Sequence, residues 1–186
     1  MTTLASLWLP ILLASVFVFI ASSLIHMVLP WHKSDYPPMP NEDAVLGALR
    51  PLNIPPGDYF IPRPQGREGM KSAEYQEKVH QGPVVLMTVM PNGMMAMGKT
   101  FVQWFAYVLV VSLFSAYVAG RALPPGSAFA QVLRFAGVAA FLSYALAFWP
   151  MSIWYRRAWN LTVKATVDGL IYAFVTGLTF AWLWPH

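Results

Sequence analysis

The chain has no cysteine. That excludes disulfides, thiolate metal sites, iron–sulfur ligation and a cysteine nucleophile. Charge is nearly as scarce: Asp, Glu, Lys and Arg make up 11% of the 186 residues, against about 25% in soluble domains. The scarcity is uneven, because none of these four residues occurs in 1–32, 100–120, 135–155 or 169–186. Catalytic motifs are missing as well. There is no HExxH, no GxSxG and no glycine-rich phosphate loop, and Asp35, Glu42, Asp43 and Asp58 stand in loop sequence without an evident partner, so no enzyme is expected. No motif asks for a cofactor. Nucleic acid is not an expected partner either: the 30–99 loop balances seven basic against seven acidic residues, and most of the net +4 comes from residues flanking apolar stretches.

What is present is apolar. Hydrophobic residues reach 57% and aromatics 15%, and each charge-free stretch matches the roughly 20 residues a helix needs to cross a hydrocarbon core. These features predict an all-α membrane protein with four transmembrane helices, at 4–29, 100–120, 129–149 and 168–184, and a small cytoplasmic α/β loop appendage. The chain divides accordingly into helix one in 1–29, a Pro-rich appendage in 30–99, and a three-helix membrane region in 100–186 with an interfacial helix over 151–167. The opening segment has no Lys or Arg ahead of its apolar run. That run is too long for the core of a signal peptide, so the segment is expected to persist as a span. Lys and Arg fall seven in the 30–99 loop and three at Arg156, Arg157 and Lys164, against Arg121 and Arg134 on the other side. The positive-inside rule then puts both termini in the periplasm.

Prolines keep "PWHKSDYPPMPNEDAVLGALRPLNIPPGDYFIPRPQG" mostly extended. A short helix is expected over 42–50 with Asn41 as its cap, and another over 72–80 capped by Ser72. "DYFIP" at 58–62 suits a strand. In "VVLMTVMPNGMMAM" the Asn92-Gly93 pair predicts a hairpin near 84–97, with strands at 84–90 and 94–97.

Over 151–167, Trp154, Ala158, Leu161 and Ala165 share one helical face and Arg156, Asn160 and Lys164 the opposite one. This predicts a helix lying in the membrane interface. Trp154, Arg156, Arg157, Trp159 and Lys164 would meet the headgroups. In the last span Gly169, Ala173, Gly177 and Ala181 recur every four residues, a small-residue stripe that lets another helix approach closely, within the chain or in a second subunit.

Five methionines fall between Met87 and Met97. Thioether sulfur suits Cu(I), and Met94, Met95 and Met97, with His26 or His32, could form a soft-metal site. Apolar packing accounts for the same residues, because methionine is a flexible filler. An axial haem pair of His26 with a methionine is the corresponding cofactor alternative. Ionisable residues in spans are functional candidates by default. Here they are Arg134, which can snorkel, and Asp168, which suits the N-terminus of the fourth helix. The expected function is that of a non-enzymatic accessory or scaffold subunit. Its partners would be the lipid bilayer and other membrane subunits or a second copy of itself. The alternative is passive transport or copper handling through Met87–Met97.

The stretches "HMVLPWHKSDY", "PPGDYFIPRP" and "DGLIYAFVTGLTFAWLWP" resemble a family of uncharacterised bacterial inner-membrane proteins, over nearly the whole chain. The resemblance implies a bacterial inner membrane and carries no activity, cofactor or site residue.

Overall fold

A computed structural model describes residues 2–186. The chain forms two compact units, one made of 1–37 and 96–186, the other of 38–95.

The first unit is helical. Helix α1 (Trp8–Ser23) is preceded by a 3-10 turn at Ala5–Leu7 and continues into a π-helical turn at Leu24–Val28. Pro10 falls in its first turn, where no amide donor is lost. Numbering in chain order gives α2 (Glu42–Leu49), α3 (Gly66–Gly69) and α4 (Ala73–Gln81) to the second unit. The first unit resumes with α5 (Met97–Ala122), α6 (Phe129–Ala145), α7 (Trp149–Tyr155) and α8 (Trp159–Trp182). Four helical segments are long and apolar enough to cross a membrane: Ala5–Val28, Met97–Ala122, Phe129–Tyr155 and Trp159–Trp182.

The closest helix pairing is α6 with α8. It is antiparallel, with Gly177 against Leu133 and Gly137, and Gly169 against Ala145. Small residues let the two helices approach closely and gain van der Waals contact along the pairing. A Cβ on Gly177 would lie 2.8 Å from the Leu133 carbonyl oxygen, and one on Gly169 would lie 2.9 Å from the Ala145 Cβ. Gly169, Ala173, Gly177 and Ala181 thus contribute to packing inside the chain. Helix α1 is tied to α5 by Ser15 Oγ donating to Ser112 Oγ at 3.1 Å and by Trp104 Nε1 donating to Ser22 Oγ at 2.8 Å. Thr2 covers the end of α5, its amide donating to the Gly120 carbonyl at 2.9 Å and its hydroxyl to the Leu123 carbonyl at 3.0 Å.

The last connection departs from expectation. No single helix runs over 151–167, because Arg156 has φ 58° and ends α7, and Ala158 is extended. Residues from Trp159 onward already belong to α8, which starts well before 168. The reason is tertiary: Thr162 reaches Ser152 Oγ at 2.6 Å and Lys164 bonds back to the segment after α1, so polar residues that look solvent-facing are satisfied within the fold. Asp168 is therefore about two and a half turns inside a helix rather than at its start.

In the second unit, strand β1 (Gly57–Ile61) pairs antiparallel with β2 (Val85–Val89), Gly57 opposite Val89 and Ile61 opposite Val85. Thr88 Oγ1 donates across the pair to Asp58 Oδ1 at 2.6 Å. The expected hairpin near 84–97 is absent, since residues 94–96 form no strand and β2 takes its partner from thirty residues upstream. Pro91 removes a ladder donor, and Gly93, with φ 106°, stands without the second left-handed residue a type I′ turn requires. Ser72 caps α4 as expected, accepting from the Tyr75 amide at 3.2 Å. Asn41 does not cap α2 with its side chain; it is left-handed itself, and its carbonyl accepts the Ala44 and Val45 amides. No residue of 38–95 is fully buried, which fits a unit too small to enclose a core.

Candidate metal centre

Three donor groups from distant parts of the sequence meet in the helical unit. His26 comes from the π-helical turn that ends the first apolar helix, a distortion that frequently accompanies functional positions. His32 follows in a 3-10 turn at Pro30–His32, and Asp168 comes from α8. One nitrogen of each histidine and one Asp168 oxygen all lie within 4.8 Å of one another. The two imidazoles are stacked, with centroids 4.1 Å apart and planes inclined by 21°.

Asp35 accepts from His32 Nδ1 at 2.6 Å, which leaves Nε2 as the outward nitrogen. That Nε2 is 3.0 Å from Asp168 Oδ2 but makes no hydrogen bond, and Asp168 Oδ1 also has no partner among the described residues. Asp168 is only 4% exposed. His32 Nε2 and the farther Asp168 oxygen, Oδ1, are thus both buried without a hydrogen-bond partner, a costly arrangement unless something binds them.

A second layer holds this geometry. Lys164 Nζ donates to Asp35 Oδ1 at 2.6 Å, to the Trp31 carbonyl at 2.7 Å and to Ser34 Oγ at 2.9 Å, and it sits 5.5 Å from the centre of the Trp31 ring. Burial opposes the charge on Asp35, but the hydrogen bonds from Lys164 and His32 outweigh it and hold the carboxyl below its ordinary range. Asp35 therefore stays ionised and fixes the His32 ring. A carboxylate on the far nitrogen of a histidine is the usual support for a metal-ligating imidazole. Asp35→Asn is accordingly expected to weaken divalent-ion affinity about 10- to 100-fold while stoichiometry is unchanged, as read by competition titration.

The candidate residues fall into three groups. His26 and His32 come together, joined by Asp168. Of the methionines, Met94 is 100% exposed and Met95 62%, both in the second unit, and Met97, half exposed, opens α5. The pair Met95 and Met97 shares no strand face, because no strand forms there. Among the interface residues, Trp154 and Trp159 are exposed, Arg157 is half-buried and Arg156 occupies the left-handed break. Lys164 is a correction, since its ammonium is spent inside the chain and is not free for headgroups. Asp168 was visible in the sequence as the lone acid of the C-terminal half, yet its partners were not.

The donors open onto a cavity of about 460 Å³. Its other walls include Trp104, Tyr107, Tyr144 and Tyr172, whose rings pack edge to face or tilted in series. Set against known proteins, the chain matches no family model, no curated protein and no solved structure.

Proposed function

We propose that this chain is a multi-pass protein of a bacterial inner membrane that binds a divalent first-row transition ion through His26, His32 and Asp168. The observation that carries the reading is the line Asp35–His32–Asp168, with one imidazole nitrogen held by a carboxylate and the other 3.0 Å from Oδ2 of a buried carboxylate whose Oδ1 has no partner among the described residues. Two imidazoles and a carboxylate suit Zn²⁺, Co²⁺, Mn²⁺ or Fe²⁺ and leave coordination positions open toward the cavity. Bonds of about 2.0–2.2 Å place donor atoms roughly 3–4 Å apart. The exposed His26 side chain has the freedom to close the remaining distance.

The membrane part of the reading is supported by the four apolar helices. The distribution of Lys and Arg supports both termini in the periplasm and the 38–95 unit in the cytoplasm. An accessory-subunit role draws no support from the Gly169–Ala181 stripe, because α6 occupies part of it. Copper handling through Met87–Met97 would need sulfur donors that are gathered, and Met94 and Met95 are exposed.

The test is metal binding by the full-length protein in mild detergent. After stripping with chelator and reloading with Co²⁺ or Zn²⁺, about one ion per chain is expected to remain bound through desalting, with Co²⁺ giving visible d–d absorption. Fewer than about one ion per ten chains at micromolar metal, with the protein monodisperse, would overturn the reading.

A further inference from the structure

Beyond the three donors, the same cavity carries a second set of unsatisfied groups. Tyr144 and Tyr172 line it, each is only 4% exposed, and neither hydroxyl oxygen has a hydrogen-bond partner among the described residues. Their neighbours are satisfied: Tyr107 donates to the Ser143 carbonyl at 2.9 Å and Trp104 to Ser22 Oγ at 2.8 Å. Two lone phenols in an apolar wall are costly, because each has lost water and gained nothing. We propose that this half of the cavity binds the headgroup of a membrane quinone, whose carbonyl oxygens accept from the Tyr144 and Tyr172 hydroxyls while its ring lies against the aromatic wall.

Three observations select this class. The cavity, at about 460 Å³, falls in the range that encloses a ring-sized ligand. Arg157 and Asp168 both line the cavity, so a headgroup of either charge meets a like charge there. A quaternary ammonium needs rings spread around it, each within about 6 Å of the charge, whereas Trp104, Tyr107, Tyr144 and Tyr172 are in mutual contact, with successive centroids 5.4 to 6.2 Å apart. A neutral planar acceptor avoids both conflicts. The inference rests on the membrane location proposed above, which supplies such ligands, but not on the metal ion.

The experiment is titration of the chelator-stripped, full-length protein in detergent with decylubiquinone, with decyltrimethylammonium and dodecanol as comparison ligands. Expected is saturable binding of decylubiquinone alone, weakened about 5- to 20-fold in each of Tyr144→Phe and Tyr172→Phe. Both variants should melt at or above the temperature of the unaltered protein without ligand, because each removes an unpartnered buried hydroxyl. A structural role for the hydroxyls would lower that temperature instead. Unsaturable binding, equal binding of dodecanol, preference for the ammonium ligand, or unchanged affinity in both variants would overturn the proposal. Metal-free conditions keep this outcome separate from that of the metal titration.

Discussion

His32→Ala is expected to lose at least about 100-fold in affinity for Co²⁺ or Zn²⁺ and to lose the Co²⁺ absorption band, while the helical content by circular dichroism is unchanged. The effect should exceed the 10- to 100-fold typical of a supporting residue, because two contributions disappear together: the Nε2 donor itself and the anchor that holds Asp35 in place. Asp168→Asn separates them. It retains shape and one neutral oxygen donor but removes the negative charge that, with neutral imidazoles, offsets the charge of the ion. Its loss should approach that of His32→Ala. Asp35→Asn should fall between these variants and the unaltered protein. That order distinguishes coordination from general disruption, since a merely structural cluster would give losses that follow the melting temperature rather than position in the Asp35–His32–Asp168 line. Equal, small losses in all three variants would remove the metal from the account.

Gly177→Val is expected to be the most damaging single change in the helical unit. The first atom of any side chain at this position would lie 2.8 Å from the Leu133 carbonyl oxygen and 3.2 Å from the Gly137 Cα. Both obstacles are backbone, so no rotamer change relieves them, and α6 and α8 must move apart along their whole antiparallel contact. Overpacking costs about 1–3 kcal/mol in well-packed cores, and a β-branched residue against a backbone belongs at the upper end. The same displacement would shift Asp168 away from His32, so metal affinity should fall in parallel. Gly47→Ala in α2 is the matched control. A Cβ there meets nothing within 4 Å, and the better helix propensity of alanine should leave stability equal or raised by up to about 1 kcal/mol. Denaturant or thermal melts of the two variants in the same detergent check both halves. Equal stability of Gly177→Val and the unaltered protein would show that the helices are not held by this close approach.

How much of this was legible in advance differs from element to element. The first two apolar helices, expected at 4–29 and 100–120, form at Ala5–Val28 and Met97–Ala122, because a long charge-free apolar run with few breakers carries its helical signal locally. The start of α8 was misplaced by about nine residues, at 168 rather than Trp159. Arg156, Asn160 and Lys164 give that stretch a polar face, and only the contact of Lys164 with Asp35 shows that part of this face is used internally. The hairpin fails to form for the opposite reason. A strong local turn signal at Asn92-Gly93 yielded to pairing between β1 and β2, a choice made by register over thirty residues and not by the turn.

The candidate site divides along the same line. His26, His32 and Asp168 could each be picked out singly, as ligating or ionisable residues in apolar surroundings. Absence of cysteine already restricted any metal site to nitrogen, oxygen and thioether donors. Composition and charge distribution by themselves determined the four apolar helices, because hydropathy is a local sum and needs no knowledge of what packs against what. Tertiary structure alone decided that Asp168 faces His32, that Lys164 crosses 129 residues of chain to Asp35, and that Tyr144 and Tyr172 stand together unpartnered. Which side chains meet depends on the rotation of each helix about its axis. That rotation is set by close contacts such as Gly177 on Leu133 and by the extra residue of the π-helical turn at Leu24–Val28, neither of which leaves a periodic signal in the sequence.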